Sequence, residues 1–362
     1  MARKRKKQHY SGIGGQAVLE GIMMKNKEHY AVAVRKPNGE IAIEVDNYQG
    51  IAHDSKLAKV PFIRGVFNFI DSLVLGMKTL NYSASFYEED EGKDTAADIA
   101  LEKASGGHEE RFLVVLTTVV SFILAIGIFM LLPFFLTNLL TEQIRNASLI
   151  AIIEGLVRIA IFVVYIVAIS LMKDIRRVYM YHGAEHKCIN CLEKGRPLTV
   201  HNVMRSSRQH KRCGTSFLLL VVLISVIVFF FIRVDNLALK VLFRILLIPV
   251  IAGIAYEVLR LAGRSENILV RIISAPGMLL QRLTTREPDE DMVEVAIAAV
   301  EAVFDWKAFL KEEFDYDVDD SWLVDSTDEL PDEVDEAKES ADDAEEPEGE
   351  AEGATANQET QE

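Results

Sequence analysis

The chain has 362 residues, a formal net charge of −15 at pH 7 and three cysteines. The negative charge is concentrated at the C terminus: residues 312–362 contain 23 acidic residues and one lysine, so the remainder carries about +7 by difference. So few cysteines exclude the disulfide framework of a small secreted protein. With no basic surplus overall, we expect no nucleic-acid partner.

The N-terminal part of the chain shows no signal peptide, because no apolar segment follows the basic MARKRKK. In the stretch Gly12–Lys25, dense glycines predict close backbone packing around a lone carboxylate, Glu20. His29–Val45 alternates apolar and polar residues around a Pro-Asn-Gly turn, which predicts a β-hairpin. Val60–Leu80 keeps its charged residues on one face and predicts an amphipathic helix against the membrane.

Four apolar segments predict transmembrane helices. With the small N-terminal β-hairpin region and additional amphipathic helices, they indicate a mainly α membrane protein. The segments are Phe112–Leu140, Ala147–Met172, Phe217–Ile232 and Ile245–Leu259. The second contains Glu154 and Arg158, whose spacing of four predicts a structural ion pair.

The basic residues predict how these helices are oriented. The 173–213 loop contains ten lysines and arginines, whereas the connectors 141–146 and 233–240 contain three in total. Because basic loops stay in the cytoplasm, the central loop and both termini are predicted to be cytoplasmic, with membrane lipids as partners.

These patterns divide the chain into five regions. They are the cytoplasmic N-terminal region 1–87, a charged linker 88–111, a four-span membrane domain 112–263 with a polar loop 173–214, membrane-proximal and amphipathic helices 264–314, and an acidic tail 315–362. The tail is predicted to be disordered because it has little apolar content.

The polar loop contains residues that bind transition metals. His182, Glu185 and His186 match H-x-x-E-H, which on a helix places both histidines one turn apart as zinc ligands. Glu185 would then act as general base on a metal-activated water. The candidates for a third ligand are His201, His210, Glu257 and Glu266. Glu257 is favoured by its position in an apolar helix, where a carboxylate is usually functional.

A second interpretation uses the cysteines. Cys188-x2-Cys191 and His210-x2-Cys213 have the spacing of a structural zinc site, which would hold the loop together without an open position for catalysis. A third interpretation needs no metal, because ten basic residues would also bind lipid headgroups.

Four motifs carry a family resemblance: GGQAVLEGIMM, YHGAEHK, HKRCGTSF and LTTREPD, beginning at residues 14, 181, 210 and 283. Together they resemble the YqhQ-like family of bacterial multi-pass membrane proteins, a domain of unknown function labelled a predicted metal-dependent enzyme. The resemblance implies a bacterial cell-membrane location. It also implies a metal role at His182, Glu185 and His186, with His210 and Cys213 in the second motif.

The sequence therefore predicts a metal-dependent hydrolase at the cytoplasmic membrane surface, acting on a peptide or lipid-linked substrate and using a divalent metal, with zinc favoured. His182 and His186 would be ligands, Glu257 or His210 would be the third ligand, and Glu20 could fold back onto the site. The alternative is a non-enzymatic scaffold or transport-related protein with a structural Cys/His zinc loop. The sequence does not identify the substrate, and it allows a homo-oligomer.

Overall fold

The N-terminal residues form a four-stranded antiparallel sheet, which extends the single hairpin predicted from the sequence. A computed structural model describes residues 9–53, 55–87, 109–140, 144, 146–232, 234, 236–263 and 267–316. The strands are β1 (Ile13–Val18), β2 (Gly21–Asn26), β3 (His29–Arg35) and β4 (Ile41–Asn47), paired in chain order. The hairpin prediction is confirmed by β3 and β4, whose turn contains Gly39 at φ +88°.

The helices follow in one series. They are α1 (Ile63–Ala84), α2 (Glu109–Ile126), α3 (Leu132–Asn138), α4 (Ala147–Ser170), α5 (Lys173–Glu193), α6 (Val200–Met204), α7 (Gly214–Phe230), α8 (Leu237–Leu246), α9 (Ile248–Ala262), α10 (Ile268–Thr284), α11 (Glu290–Glu301) and α12 (Trp306–Phe314). A π-helical segment, Gly127–Leu131, joins α2 to α3, and a short 3-10 turn, Lys56–Lys59, precedes α1.

The sheet is packed on both faces, because alternate residues of a strand point to opposite sides. On one face, Tyr30, Val32 and Val34 form a core with Leu75 of α1. On the other, β-strand residues such as Ile22 contact α5 and α11 in the largest buried cluster of the described residues. The central helix α5 thus contacts the sheet and α11, so parts of the chain that are far apart in sequence meet around it.

Three helical segments among the described residues are long and apolar enough to cross a membrane: Val115–Asn138, Ala147–Ser170 and Ala238–Ala262. They match the first, second and fourth predicted spans. The third predicted span forms α7, an apolar helix of 17 residues that is shorter than these three.

A buried ion-pair network joins the apolar helices. The predicted pair of Glu154 and Arg158 is confirmed at 2.7 Å, and Arg244 of α8 adds two hydrogen bonds to the same carboxylate, at 2.6 and 2.8 Å. Arg158 also donates to the Phe129 carbonyl and to Ser225 of α7. Glu154 and both arginines are less than 10 % exposed. The network therefore connects α4, α7, α8 and the π-helical segment.

Several predicted segments have different boundaries in the structure. The region 264–314, predicted to contain membrane-proximal and amphipathic helices, forms α10, α11 and α12. The polar loop 173–214 is largely helical, because α5 continues to Glu193. Linker residues 88–108, Glu266 and the tail beyond residue 316 lie outside the described residues.

Candidate metal centre

The H-x-x-E-H motif lies in the middle of α5, where it is fully helical. At 3.6 residues per turn, His182, Glu185 and His186 lie on one side of the helix. The rings of the two histidines are 4.4 Å apart between centroids. Glu185 and His186 are 5 % and 1 % exposed, whereas His182 is partly exposed. The motif therefore faces the protein interior and reaches the surface only at His182.

Cys213 meets the two histidines from the start of α7. Its Sγ lies 3.2 Å from His182 Nε2, and the donor atoms of His182, His186 and Cys213 all lie within 4.8 Å of one another. We call these three residues the His/Cys cluster. Cys213 is the N-cap of α7, where its Sγ accepts a hydrogen bond from the Thr215 N–H at 3.3 Å. A helix N-terminus favours a thiolate, which is the form of cysteine that binds metals.

Backbone carbonyls orient both imidazole rings. Nδ1 of His182 lies 2.9 Å from the Thr284 carbonyl oxygen, and Nδ1 of His186 lies 2.7 Å from that of Arg208. Since a carbonyl only accepts, each Nδ1 carries a proton, which leaves Nε2 as the nitrogen of each ring that could bind a metal. This is the arrangement by which metal-binding histidines are fixed in proteins.

The N-terminal sheet covers Glu185. The backbone N–H of Gly15 in β1 donates to the carboxylate, and a Cβ at Gly15 would come within 3.1 Å of Glu185 Cδ and 2.7 Å of the Met23 carbonyl oxygen. Only glycine allows β1 to approach α5 this closely. Burial raises the pKa of Glu185, with the nearby histidines acting in the opposite direction. A raised pKa suits a carboxyl group that accepts and releases a proton near neutral pH.

Cys213 and the neighbouring histidines shift one another's pKa values. Burial alone would raise the pKa of Cys213, but the charges of His182 and His186 outweigh it and hold that pKa well below its usual range. Burial lowers the pKa of His182, and the neighbouring Cys213 outweighs this and raises it to about 9. The cluster therefore favours a thiolate at Cys213.

His210 lies beside the cluster but belongs to a different network. Its ring centroid is 5.6 Å from that of His186, and its Nε2 is 3.7 Å from the carboxylate of Glu193. Glu193 also pairs with Arg212 and accepts two hydrogen bonds from Ser11, at 2.9 and 3.0 Å. Burial would raise the pKa of Glu193, but the hydrogen bond with His210 and the charge of Arg212 prevail and lower it to about 2.

We expect Glu193→Gln to lower the free energy of unfolding by about 3 kcal/mol at pH 7, since 1.36 kcal/mol corresponds to one pKa unit. The folded-state pKa of Glu193 is depressed from 4.5 to about 2. Its stabilising contribution is therefore complete above pH 4.5 and is lost as the pH falls towards 2. Thermal unfolding of both proteins at several pH values tests this: a stability difference that stays constant below pH 4 would contradict it.

Two other predicted site residues lie elsewhere. Glu257, proposed as the third ligand, is paired instead with Arg64 of α1, whose Nε is 2.6 Å from the carboxylate, and it also accepts from the Phe62 N–H at 3.2 Å. The structure does not bring it to the His/Cys cluster. Glu20 pairs with Arg177 and lies 3.3 Å from the Tyr181 hydroxyl. Glu20 thus contacts α5 at the turn that precedes the motif, and it does not join the His/Cys cluster.

The structural zinc site predicted from Cys188, Cys191, His210 and Cys213 does not assemble. Cys188 and Cys191 are both fully buried in the apolar cluster around α5, and burial raises the pKa of both thiols, that of Cys191 to about 12. The Cys191 thiol donates to the Pro197 carbonyl at 3.4 Å. His201 is exposed on α6. Among the described residues, only the His/Cys cluster groups three such ligands.

The segment after α10 contacts α5 just before and just after the motif. Arg286 donates its backbone N–H to the Tyr179 carbonyl at 2.9 Å, and Glu287 pairs with Lys187 at 2.5 Å. A Cβ at Gly183 would overlap the Arg286 carbonyl oxygen. Gly183 therefore permits this contact, which explains a glycine within a helix where it otherwise weakens helix formation.

The four sequence motifs thus converge on one place. The glycine-rich motif covers Glu185, the second carries the histidines, the third supplies Cys213, and the fourth supplies the Thr284 carbonyl. The family model described as "Protein of unknown function (DUF1385)" matches residues 60–306, more than half of the chain. The chain belongs to the DUF1385 family.

One relative of the chain is the uncharacterized protein YqhQ of Bacillus subtilis (strain 168). It is 40 % identical over 291 residues, covering 78 % of this chain and 89 % of the relative. This confirms the YqhQ-like resemblance inferred from the motifs. No solved structure matches the chain.

Proposed function

We propose that the His/Cys cluster holds a divalent metal, best matched by zinc, and that the protein is a metal-dependent hydrolase. The observation that supports this is the meeting of three donor atoms within 4.8 Å, with the carboxyl group of Glu185 beside them. Two imidazoles and a thiolate form a donor set typical of zinc, and three protein ligands leave a fourth position for water or substrate.

The residues then have distinct roles. The Nε2 atoms of His182 and His186 and the Sγ of Cys213 hold the metal, while the Thr284 and Arg208 carbonyls keep the rings in place. A zinc ion supplies a water whose pKa is lowered to about 7. Glu185 would act as general base beside this metal, and the hydrogen bond from the Gly15 N–H orients its carboxylate for that role.

The packing also supports four membrane crossings. The sheet, α5 and α11 pack together, so they belong on the same side of a membrane. Two apolar segments separate α5 from α11, namely α7 and Ala238–Ala262. If the latter crosses the membrane, α7 must also cross to return the chain to the same side. Its 17 residues span about 26 Å at 1.5 Å per residue, close to the thickness of the hydrocarbon core.

The distribution of basic residues supports a cytoplasmic location for the sheet, for α5 and for both termini. The Bacillus relative and the family resemblance fit a bacterial cell membrane. The His/Cys cluster would then lie at the cytoplasmic membrane surface, since Cys213 immediately precedes the apolar helix α7.

The alternative is a scaffold or transport-related protein in which a metal only stabilises the loop. The burial of Cys188 and Cys191 in the apolar core disfavours the four-ligand form of this alternative. A structural role for the His/Cys cluster itself would leave no function for Glu185, which is buried beside it without joining the three ligands.

Metal analysis of the detergent-purified protein tests the proposal. We expect about one zinc per chain in the wild type and its loss in His182→Ala/His186→Ala, because removing two ligands leaves an incomplete site. Glu185→Gln should retain the metal, since Glu185 is a base and not a ligand. Cys191→Ser is the matched control for Cys213→Ser: the first should retain the metal and the second should lose it.

Two results would contradict the proposal. If Cys191→Ser loses the metal as completely as Cys213→Ser, the metal is bound by the structural site of Cys188, Cys191, His210 and Cys213. If the wild type contains no metal and binds none from added zinc, the His/Cys cluster is not a metal centre.

A further inference from the structure

The strand β4 forms an open edge of the N-terminal sheet. In the order β1-β2-β3-β4 both β1 and β4 are edge strands, but β1 lies against α5 and its Gly15 N–H donates to Glu185. In the part of the chain that the structure describes, β4 pairs only with β3. Its Ile43 and Val45 are 47 % and 56 % exposed. An uncovered edge of this kind is a surface on which another strand can pair.

The backbone of β4 presents hydrogen-bonding groups along this edge. Directly after β4, the N–H of Tyr48 donates to the Glu28 carbonyl at 2.8 Å. Since bonded and non-bonded positions alternate along an antiparallel pair, the even-numbered residues of β4 bond to β3. The odd-numbered residues therefore direct their N–H and C=O groups outward, and no hydrogen bond to these groups is found among the described residues for Ile41, Ile43 and Val45.

The same three residues form an aliphatic strip beside α11. Ile43 lies opposite Ala33 of β3, which belongs to the buried cluster around α5 and α11, so the side chains of the strip lie on that face of the sheet. Ile41 packs partly against the cluster, whereas Ile43 and Val45 remain exposed. The edge therefore combines outward backbone groups with an exposed aliphatic surface.

A second copy of β4 fits this edge in an antiparallel register centred on Ile43. With Ile43 opposite its counterpart, Ile41 lies opposite Val45 of the second copy. All three are outward-facing positions, so each outward N–H of one strand meets a carbonyl of the other. The two strips then form one continuous row of cross-strand aliphatic pairs, which stabilise a sheet.

The acidic side chains on the other face of β4 are compatible with this register. Glu44 would lie opposite Ala42 of the second copy and not opposite another acid. Asp46 would lie opposite Glu40, but Asp46 is already paired with Lys78 at 2.7 Å. Shifting the register so that Glu44 faces its own counterpart would bring two like charges together and is disfavoured. The charges thus favour the register that the aliphatic strip requires.

The layers of the fold suit two copies in one membrane. Leu75, Thr79 and Ser83 of α1 are buried on the side towards the sheet, while Ile70 and Val74 are exposed on the opposite side. With α1 lying on the membrane surface, as its sequence predicts, the sheet lies parallel to that surface. The two-fold axis of the paired strands is perpendicular to the sheet and would then be perpendicular to the membrane, as two copies in one bilayer require.

We propose that two copies of the chain associate through β4 and form one continuous antiparallel sheet across the interface. The second copy is the occupant because a single register satisfies the outward backbone groups, the aliphatic strips and the charges of both strands. The paired surface is small, so the association depends on both copies being confined to the same membrane, which raises their effective concentration. This interface does not depend on the proposed metal-dependent function.

The test cross-links single-cysteine variants of the full-length protein reconstituted in phospholipid vesicles. A thiol–thiol linker that spans about 10 Å should join two copies of Ile43→Cys, whose Cα atoms would lie about 5.5 Å apart in the paired strands. Asn47→Cys is the matched control, because Asn47 is also exposed on β4 but would lie about 27 Å from its counterpart. The native cysteines are buried, so the wild type should not be cross-linked.

A lysine added to each strand tests the pairing itself. We expect Val45→Lys in the Ile43→Cys background to reduce the cross-linked dimer by about tenfold, because a lysine on an edge strand opposes pairing. Asn47→Lys in the same background should retain the dimer, since it lies outside the aliphatic strip. Val45 is more than half exposed, so its substitution leaves the buried core intact.

Three results would overturn the proposal. Equal cross-linking of Ile43→Cys and Asn47→Cys would indicate random collisions without a register. A dimer that persists in the Val45→Lys variant would be formed by another surface, such as the apolar helices. Cross-linking of Ile43→Cys to a different protein in cells, without a dimer in vesicles, would assign this edge to a partner other than a second copy.

Discussion

Glu154→Ala is expected to lower the free energy of unfolding by about 3–5 kcal/mol, because it leaves two buried arginines without their anion. The Glu154 carboxylate binds Arg158 at 2.7 Å and Arg244 at 2.6 and 2.8 Å. Desolvated charges that lose their partner are among the few causes of such large effects. Thermal unfolding in detergent measures the loss.

Two variants make this prediction specific. Leu156→Ala, on the same helix at a residue that is 62 % exposed, should change stability by less than about 1 kcal/mol. Replacing Glu154, Arg158 and Arg244 together by Met should restore most of the stability, because no unpaired charge is left. If the triple variant is as unstable as Glu154→Ala, lost packing and not unpaired charge is the cause.

Gly183→Ala is expected to lower the unfolding free energy by about 3 kcal/mol and to reduce metal content. A Cβ at this position overlaps the Arg286 carbonyl oxygen, which belongs to the backbone and cannot rotate away. A shift of the backbone at Arg286 also displaces the Thr284 carbonyl from His182, because Thr284 and Arg286 are only two residues apart in the chain. Unfolding temperature and zinc content of the purified variant are the measurements.

Gly214→Ala is the matched control for Gly183→Ala. A Cβ at Gly214 meets nothing within 4 Å, although Gly214 follows Cys213 directly. We expect its stability to lie within about 0.5 kcal/mol of the wild type, with full metal content. Wild-type stability in Gly183→Ala would show that the segment around Arg286 is not held against α5.

The helical conformation of H-x-x-E-H agrees with the sequence, because the spacing of His182, Glu185 and His186 repeats with the helix. The sequence also placed Cys188 and Cys191 in a competing site, because their spacing is typical of structural zinc sites. With α5 continuing to Glu193, each residue adds about 100° of rotation, so Cys191 points about 180° away from His182. Helical phase therefore separates Cys191 from the two histidines once the helix length is known.

Other features of the site had no local signal. Glu257 lies in an apolar helix, where a carboxylate is either functional or paired, and its partner Arg64 is 193 residues away in the chain. The glycine-rich stretch did not predict β1 and β2, since glycine disfavours strands unless another backbone approaches closely. Gly15 is such a case, because β1 lies directly over Glu185. These outcomes depend on tertiary contacts between distant segments.

The contact between His182 and the Thr284 carbonyl has a consequence for biosynthesis, because these residues are 102 positions apart. During translation, the histidines leave the ribosome well before the helix that orients them. All four apolar segments would already be synthesised while His182 still lacks its carbonyl partner. A nascent chain halted before α10 would therefore have its complete set of apolar helices without a properly held His/Cys cluster. Insertion of these helices into a membrane would therefore be a separate event from assembly of the His/Cys cluster, which depends on the last helices of the fold.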